Sequence, residues 1–264
     1  MNVGGSTDKL VQLLQHEVDI NLVQEHRLTV DMLPGVVKRL SKLGWHGVWS
    51  PADITGEHAH ARSGGVAVLV PRHVLISQGC EQATARCIRA TIPLTRTKSV
   101  HVFSVYAYDA GYANRDVLNG TLFSDIQATL AMTGRIPWAV GGDFNCEPND
   151  GLPGWHSGGT IVDCGKPTHR LGGNLGWFLI APGWRRKLSC GMANAQVQEI
   201  VGDHVAVGMR LRTAADLELG IITKKPTKIV SLLPRQTSPC PRNLHQAKLL
   251  MNSGWTGLLE LKSG

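Results

Sequence analysis

Residues 140–148 read VGGDFNCEP, and this stretch decides how the chain is interpreted. It ends an apolar run that predicts a buried strand. Gly141 and Gly142 allow the backbone a tight turn or a close approach to another group. Asp143 and Asn145 follow, and they point the same way if the extended period of two continues. A carboxylate and an amide placed here can hold a metal ion or a water molecule. Asp and Asn also commonly cap turns, so the stretch alone leaves both interpretations open.

The 264-residue chain has the composition of an ordinary globular protein, with 42% hydrophobic and 18% charged residues. This length suffices for one large domain or two small ones. No apolar run has the length of a membrane span, and the first residues show no basic stretch followed by an apolar one. We therefore expect no secretory signal and an intracellular protein, nuclear or cytoplasmic. Six cysteines without a CxxC pair argue against structural zinc and a disulfide scaffold, and predict free thiols.

The net charge of +7 first suggests a nucleic-acid partner, but most of this charge lies near the C-terminus. Residues 221–264 hold seven basic residues and one acidic residue, hence +6, which leaves +1 for the remaining chain. Past about residue 213, Pro, Ser, Thr and basic residues become frequent. We expect a folded domain over 1–212 and a basic, Pro/Ser-rich linker or partly disordered tail over 213–264.

Helix and strand patterns alternate along the first 212 residues. Ser6 and Thr7 precede an apolar helical face, a second helix is predicted over 29–45, and a third over 115–134. Segments rich in β-branched or apolar residues predict strands. These segments are 18–26, 64–70, 86–94, 100–108, 136–140, 174–182 and 204–211. Clusters of strands with flanking helices indicate a sheet-rich α/β domain.

Polar groups of one chemical kind stand at the ends of several predicted strands. They are Asn2, Glu25, Tyr106, Asp109, Asp143, Asn145, Asp203 and His204. If these ends share one edge, they build a cleft of oxygen ligands with one imidazole. Hard oxygen ligands suit Mg²⁺ or Mn²⁺, which stabilise charge that develops on a phosphoryl oxygen. Each residue taken singly also fits a surface, turn or core position; their joint order favours a site.

These motifs in this order resemble the endonuclease/exonuclease/phosphatase superfamily, which includes exonuclease III and the abasic-site endonucleases. The matching stretches are Asn2–Val3, VQEH at 23–26, GGVAVLV at 64–70, VYAY at 105–108, GGDFNCEP at 141–148 and GDHVAV at 202–207. The resemblance covers roughly residues 1–212. It implies an α/β (α+β) fold, a four-layer α/β/β/α sandwich of two packed mixed β-sheets flanked by helices. It also implies metal-dependent hydrolysis of a phosphoester, with Mg²⁺ or Mn²⁺ as the cofactor.

The resemblance assigns roles to the residues that match its motifs. Asp143 is implied to orient or deprotonate the attacking water, and Asn145 to accompany it on the phosphate. Tyr106 is implied to contact the phosphate, and His204 to stabilise it in the transition state. The implied metal ligands are Glu25, Asn2 and Asp203. Such a site acts by neutralising charge and placing a water in line, more than by covalent chemistry.

Two further residues are expected to bind the substrate. Asp109 closes the same predicted strand as Tyr106, and Trp177 lies in a strand near the expected cleft. A tryptophan ring in that place offers a surface on which a base can stack, although packing in the core is the commoner use of tryptophan.

The chain departs from the superfamily pattern in two places. The superfamily usually has a strand before the Asn–Val pair, whereas this chain begins at Met1, so we expect an N-terminally shortened chain with Asn2 at a fraying end. The superfamily also has an Asp that holds the catalytic histidine, and Gly176 stands at that position. We expect this glycine to weaken the orientation of His204, and hence the activity.

The favoured function is metal-dependent phosphodiester hydrolysis of the DNA endonuclease type, similar to exonuclease III and to retroelement endonuclease domains. Two alternatives stay open. One is a phosphatase that acts on a small phosphorylated substrate or a lipid headgroup. The other is a catalytically impaired remnant of a retroelement endonuclease, which the residue Gly176 favours.

Overall fold

A computed structural model of the chain describes residues 2–14, 19–55, 62–79, 83–94, 98–134, 136–156, 158–182, 195–201 and 204–209. The chain divides into a unit of residues 1–220 and a unit of residues 221–264, and all of the described residues belong to the first. The expected tail, 213–264, and the expected metal ligand Asp203 lie outside the described residues. The domain boundary at residue 212 therefore stays a prediction.

Three helices and thirteen strands are found in the described residues. The helices are α1 (Thr7–Leu13), α2 (Leu33–Lys42) and α3 (Arg115–Met132). The strands are β1 (Asn21–Val23), β2 (Trp45–Ser50), β3 (Asp53–Ile54), β4 (Arg62–Ser63), β5 (Val66–Pro71), β6 (Ser77–Gln78), β7 (Cys87–Pro93), β8 (Ser99–Tyr106), β9 (Trp138–Asp143), β10 (Thr160–Val162), β11 (Gly176–Ile180), β12 (Ala195–Val201) and β13 (His204–Met209). The longer predicted elements are present, while β2, β10 and β12 had not been expected.

The larger sheet has six strands in the order β10-β11-β9-β8-β7-β6. Its neighbours pair antiparallel except β8 and β9, which run parallel, so the sheet is mixed. Helix α3 covers one face, where Phe123 and Ile126 pack in one cluster with Phe103, Val140 and Leu179. The apolar side of α3 is thereby buried against the sheet.

The smaller sheet has the order β1-β5-β2, and its strands pair antiparallel. A parallel bridge between Asn2 and Gln24 extends it beside β1. Leu10 of α1 and Leu40 of α2 pack in one cluster with Ala67 and Leu69 of β5. Both N-terminal helices therefore cover the same face of this sheet.

The alternation of side chains along β5 joins the two sheets. Ala67 and Leu69 face the helices, whereas Val66 and Val68 pack with Ile88 and Ala90 of β7 in the larger sheet. Since successive side chains of a strand point to opposite faces, one buried strand serves both layers. This packing confirms the four-layer α/β/β/α prediction.

The two glycines of the 140–148 stretch are required by close packing. A Cβ at Gly142 would lie 1.9 Å from the carbonyl oxygen of Val105 in the neighbouring strand. A Cβ at Gly141 would lie 2.4 Å from the Phe178 ring and 2.7 Å from Leu22 of the other sheet. Glycine lets β9 approach both neighbours and bring Asp143 to the strand end.

Two smaller expectations concern thiols and membrane segments. Cys87, Cys146 and Cys164, the cysteines that lie in the described ranges, are free thiols, as predicted for them. Among the helices of the described residues, none combines the length and apolarity needed to cross a bilayer.

Candidate active site

Asp143 is the last residue of β9 and lies at the centre of the candidate site. It is level with Tyr106 of the parallel strand β8 and with Gly176 of the antiparallel strand β11. The ends of parallel neighbours meet at the same edge of a sheet, so Asp143 and Tyr106 come together there. Asp143 is only 3% exposed, and its carboxylate therefore depends on protein partners.

Those partners come from both ends of the described chain. The side-chain amide of Asn2 donates from Nδ2 to Asp143 Oδ2 at 3.1 Å. His204 Nδ1 lies 3.6 Å from the same oxygen, and His204 Nε2 lies 3.4 Å from Asn2 Nδ2. The backbone N–H of Asn145 donates to Asp143 Oδ1 at 3.2 Å. Three of the sequence-predicted site residues, from positions 2, 143 and 204, thus form one contact group.

Asn2 is held in place although it stands near the start of the chain. The N–H of the next residue, Val3, donates to the carbonyl of Gln24 at 3.0 Å, and Val3 itself is buried in the core. The N–H of Gly4 donates to Asn2 Oδ1 at 2.9 Å. This anchoring contradicts the expectation of a fraying Asn2.

Burial shifts the proton affinities of the central pair in opposite directions. It raises the pKa of Asp143 and lowers the pKa of His204. Their mutual attraction opposes both shifts and does not outweigh burial. Burial thus makes the Asp143 carboxylate a stronger base, and a protonated His204 a stronger acid, than the same groups in water. The geometry suits transfer of a proton better than a permanent ion pair.

Tyr106 stands beside this pair as a buried hydroxyl. Its pKa is raised, first by burial and then by the negative charges of Glu25 and Asp143, while the Arg86 guanidinium lowers it. The phenol therefore stays protonated and can donate a hydrogen bond to an anion. The same shifts show that both carboxylates lie within electrostatic reach of one hydroxyl.

Glu25 follows β1 in a left-handed backbone conformation, with φ of 52°. Its carboxylate accepts from Arg27 Nε at 3.1 Å and also contacts Arg27 Nη2. The side chain is 14% exposed; its charge contributes to the raised pKa of Tyr106 and partly opposes the lowering of the His204 pKa by burial. Glu25 thus borders the cleft, paired with a half-exposed arginine that the sequence analysis did not single out.

Asn145 takes a turn-forming position, which is one of the two interpretations that the sequence left open. Its φ is 51°, and its side-chain Nδ2 donates to the carbonyl of Ala107 at 2.7 Å. It therefore closes a turn around Asp143, and asparagine tolerates that conformation. The turn holds the Asp143 side chain in place through the 3.2 Å backbone hydrogen bond.

Comparison with known proteins gives matches in structure but not in sequence. No protein-family model matches the chain, and no curated protein matches it. The endonuclease domain of TRAS1, a telomere-specific non-LTR retrotransposon, matches with a TM-score of 0.56 at 13% identity, covering 81% of this chain and 97% of that one. The AP endonuclease LMAP from Leishmania major matches with a TM-score of 0.55 at 13% identity, covering 80% and 86%. The 3' phosphatase NExo from Neisseria, bound to a product DNA hairpin, matches with 0.53 at 18% identity, covering 80% and 96%.

The chain has the endonuclease/exonuclease/phosphatase fold. The likeness confirms the fold that the sequence motifs implied. The likeness assigns no role to individual residues, so their roles are argued from the contacts within this chain.

Trp177 does not occupy the substrate-binding position that the sequence predicted. It is 1% exposed, its ring stacks on Phe144 at 3.9 Å, and its Nε1 donates to the carbonyl of Cys146 at 3.1 Å. A side chain so enclosed cannot stack on a base, so the substrate-binding prediction for Trp177 is wrong. The residue instead supports the strand end that carries Asp143.

Asp109 lies at the margin of the site. Its Oδ1 accepts from the N–H of Gly111 at 2.7 Å, which closes a turn after β8. Its charge also raises the pKa of Tyr106, so the residue is near the cleft. A substrate contact for Asp109 stays a prediction.

Two residues that the sequence analysis did not identify support His204 and Gly176. His169 forms an antiparallel backbone bridge with His204, and the two imidazole rings lie 4.7 Å apart. Thr168 Oγ1 accepts from the N–H groups of Leu175 and Gly176, each at 2.8 Å. No local pattern marks these residues, because their partners are distant in sequence or belong to a loop.

The cleft contains carboxylates of the type that hard divalent cations prefer as ligands. The Glu25 and Asp143 carboxylates both raise the pKa of Tyr106. Asn2 contacts Asp143 through its amide nitrogen, while its amide oxygen accepts from the N–H of Gly4. Within the described ranges, no group of three or more His, Cys, Asp or Glu forms a metal cage. Mg²⁺ is commonly held by one or two carboxylates, with waters and substrate phosphate completing its shell. This donor set suits such an ion.

Proposed function

We propose that the chain is a metal-dependent phosphodiesterase that acts on DNA as an endonuclease. The observation that carries the proposal is the contact group of Asn2, Asp143 and His204 at one sheet edge, with Tyr106 level with Asp143. This group joins a proton acceptor, an imidazole and a phenolic donor in the endonuclease/exonuclease/phosphatase fold.

The chemistry follows from the state of each group. A buried carboxyl with a raised pKa is a better base near neutral pH than an ordinary Asp, so Asp143 is suited to take a proton from an attacking water. His204 and the protonated Tyr106 are suited to stabilise the charge that develops on the phosphoryl oxygens. The amide nitrogen of Asn2 contacts both Asp143 and His204 and so holds the two side chains next to each other.

A divalent cation would be held by Glu25, with Asn2 beside it. When bound, it would supply charge stabilisation at a phosphoryl oxygen. Asp203 is retained as a further proposed ligand from the sequence motif. Because Arg27 now pairs with Glu25, metal binding would exchange one positive partner of the carboxylate for another.

DNA as the substrate is supported by two separate observations. Matching structures include two proteins named as endonucleases and one bound to a DNA hairpin. Residues 221–264 also carry +6 of the net charge of +7, and a basic segment of this kind can contact a polyanion.

A catalytically impaired remnant is the second candidate, and Gly176 favours it. This residue is level with Asp143 and offers no carboxylate to the histidine. A phosphatase activity is also retained as an alternative, since one matching structure is named a 3' phosphatase.

Nicking of supercoiled plasmid tests the proposal. We expect the chain to nick DNA with Mg²⁺ and not with EDTA. Asp143→Asn should lower the rate by about 100-fold or more, because it removes the proposed general base while keeping an acceptor for Asn2. Asp116→Asn is the matched control, since Asp116 lies exposed on α3.

The outcomes separate the candidates. If folded wild-type chain does not nick DNA with Mg²⁺ but hydrolyses a phosphomonoester, the phosphatase alternative replaces the proposal. If it hydrolyses neither substrate, the chain is an impaired remnant. Equal nicking by wild type and Asp143→Asn would remove Asp143 from the mechanism.

A further inference from the structure

A buried arginine lies beside the candidate active site, and no carboxylate of the described residues pairs with it. Arg86 comes just before β7 and is only 4% exposed. Its guanidinium carbon lies 4.5 Å from the ring centroid of Tyr106, 4.4 Å from that of Tyr108 and 5.3 Å from that of Tyr112. Three tyrosine rings thus enclose one positive charge.

The hydrogen bonds of this guanidinium are incomplete. Nη2 donates to Ser63 Oγ at 2.7 Å and to the Tyr112 hydroxyl at 2.8 Å. The other terminal nitrogen, Nη1, is buried and has no hydrogen-bond partner within the part of the chain that the structure describes. Ser63 Oγ and the Tyr112 hydroxyl also lie 3.0 Å from each other. We call Ser63, Arg86 and Tyr112 the Arg86 cluster.

Such an arrangement is unfavourable for folding alone. A buried cation is costly unless a counter-charge and hydrogen bonds compensate it. Cation–π contacts with the tyrosine rings offset part of this cost, and two neutral hydroxyls satisfy only one nitrogen. Among the described residues, the cluster therefore has one donor group without a partner and one charge without a counter-charge, both of which an anion would satisfy.

The position of the cluster links it to the candidate site. The N–H of Tyr106 donates to the carbonyl of Arg86 at 2.8 Å, and the Tyr106 ring lies against the guanidinium. On its other side, Tyr106 is level with Asp143 in the neighbouring strand. Tyr106 thus contacts Arg86 and is the register neighbour of Asp143, which places the cluster beside the candidate site.

We propose that the Arg86 cluster is a subsite for a phosphoryl group next to the one that is hydrolysed. The proposal rests on the proposed function, because it requires a substrate with more than one phosphate. A guanidinium matches the geometry of phosphate oxygens, and hydrogen bonds to a charged acceptor are stronger than those to a neutral hydroxyl. The hydroxyl groups of Ser63 and Tyr112 then donate hydrogen bonds to the same anion.

Binding of inorganic phosphate to the full chain, with EDTA present, tests the subsite apart from catalysis. Isothermal titration calorimetry at constant ionic strength should show that Arg86→Met weakens phosphate binding by at least about tenfold, because charge-assisted hydrogen bonds are lost. Arg39→Met is the charge-matched control, since Arg39 is an exposed arginine on α2, and it should bind like wild type. If Arg86→Met does not fold, Arg86→Lys replaces it; this variant keeps the charge, loses the forked geometry and should also bind more weakly.

A pair of substrates distinguishes a subsite from a purely structural role. With Mg²⁺, Arg86→Met should lower kcat/KM for an oligonucleotide by at least about tenfold more than for bis(4-nitrophenyl) phosphate, which has a single phosphate. Equal losses on both substrates would mean that Arg86 acts only by positioning Tyr106, and would overturn the subsite. Wild-type chain that binds no phosphate, or Arg86→Met that binds it normally, would overturn it too. Failure of plasmid nicking with intact, Arg86-dependent phosphate binding would instead overturn the proposed function.

Discussion

At the scale of single residues, Gly176 sets this site apart from the pattern that its sequence resembles. The residue is level with Asp143, and its N–H is bound by Thr168 Oγ1. A Cβ placed on it would lie 3.6 Å from Thr168 Oγ1 and 3.8 Å from the Gly142 carbonyl, which are ordinary contacts. A side chain can therefore be added without moving the strand, and His204 now relies on Asp143 and His169 as neighbours.

Restoring a carboxylate at this position should increase activity. We expect Gly176→Asp to raise the plasmid nicking rate by about 10- to 100-fold, the range by which groups that orient a catalytic or metal-binding residue usually act. Gly176→Asn is the matched control, because it has nearly the same volume without the charge. An unchanged rate in folded Gly176→Asp, checked by circular dichroism, would show that the missing carboxylate does not limit the enzyme.

At the scale of elements, α3 supports the motif that carries Asp143. Phe123 of α3 is fully buried, and its ring stacks with that of Phe144 at a centroid distance of 6.1 Å. Phe144 in turn stacks on Trp177 of β11. Asn119, also on α3, exchanges two hydrogen bonds with the backbone of Tyr108, at 2.8 Å and 3.1 Å. The helix thus fixes both the turn after β9 and the loop after β8.

Removing the Phe123 ring should destabilise the fold strongly. We expect Phe123→Ala to lower the free energy of unfolding by about 3–5 kcal/mol, from lost burial and the cavity that remains. Urea denaturation followed by circular dichroism measures this change. Val117→Ala on the same helix is the control, because Val117 is 71% exposed and its truncation should change stability by less than about 0.5 kcal/mol. Similar losses in the two variants would mean that α3 does not pack on the sheet through Phe123.

At the scale of the whole molecule, the fold brings distant segments together and makes its stability depend on pH. His26 follows β1; its N–H donates to the Gly65 carbonyl at 3.1 Å, and its ring meets that of Trp49 edge-on at 5.3 Å. Its Nδ1 accepts from the N–H of Leu28 at 3.0 Å. Burial lowers the pKa of His26 from 6.5 to about 4, so the folded chain keeps this imidazole neutral.

The sign of the pH effect follows from this shift. Between its ordinary pKa of 6.5 and about 4, the unfolded chain binds a proton at His26 that the folded chain does not. Stability therefore falls as pH falls through this window, by up to about 3 kcal/mol from this residue. Urea unfolding at about pH 7 and about pH 4.5 should show a smaller loss for His26→Gln than for wild type. His73→Gln, at an exposed position, should behave like wild type; an equal loss in all three chains would contradict the assignment to His26.

The sequence by itself determined the periodic elements, the fold class and the core of the site. Runs rich in β-branched and apolar residues marked β5, β7 and β8, and apolar helical faces and end signals marked the helices, because these signals depend only on near neighbours in the chain. The motifs around Glu25, Asp143 and His204 identified the residues that border one cleft, since their chemistry and order are visible without coordinates.

Tertiary structure alone decided what depends on pairing between distant segments. Strand β2 follows Gly44 directly and forms by pairing with β5, and the burial of Trp177 follows from its contact with Phe144. The contact of His169 with His204 and the enclosure of Arg86 by three tyrosine rings likewise join segments that no local pattern connects. Burial and long-range contacts set the environment of a side chain. Tertiary packing therefore decides whether a tryptophan packs in the core or binds a ligand. It also decides whether a buried arginine has a counter-charge nearby.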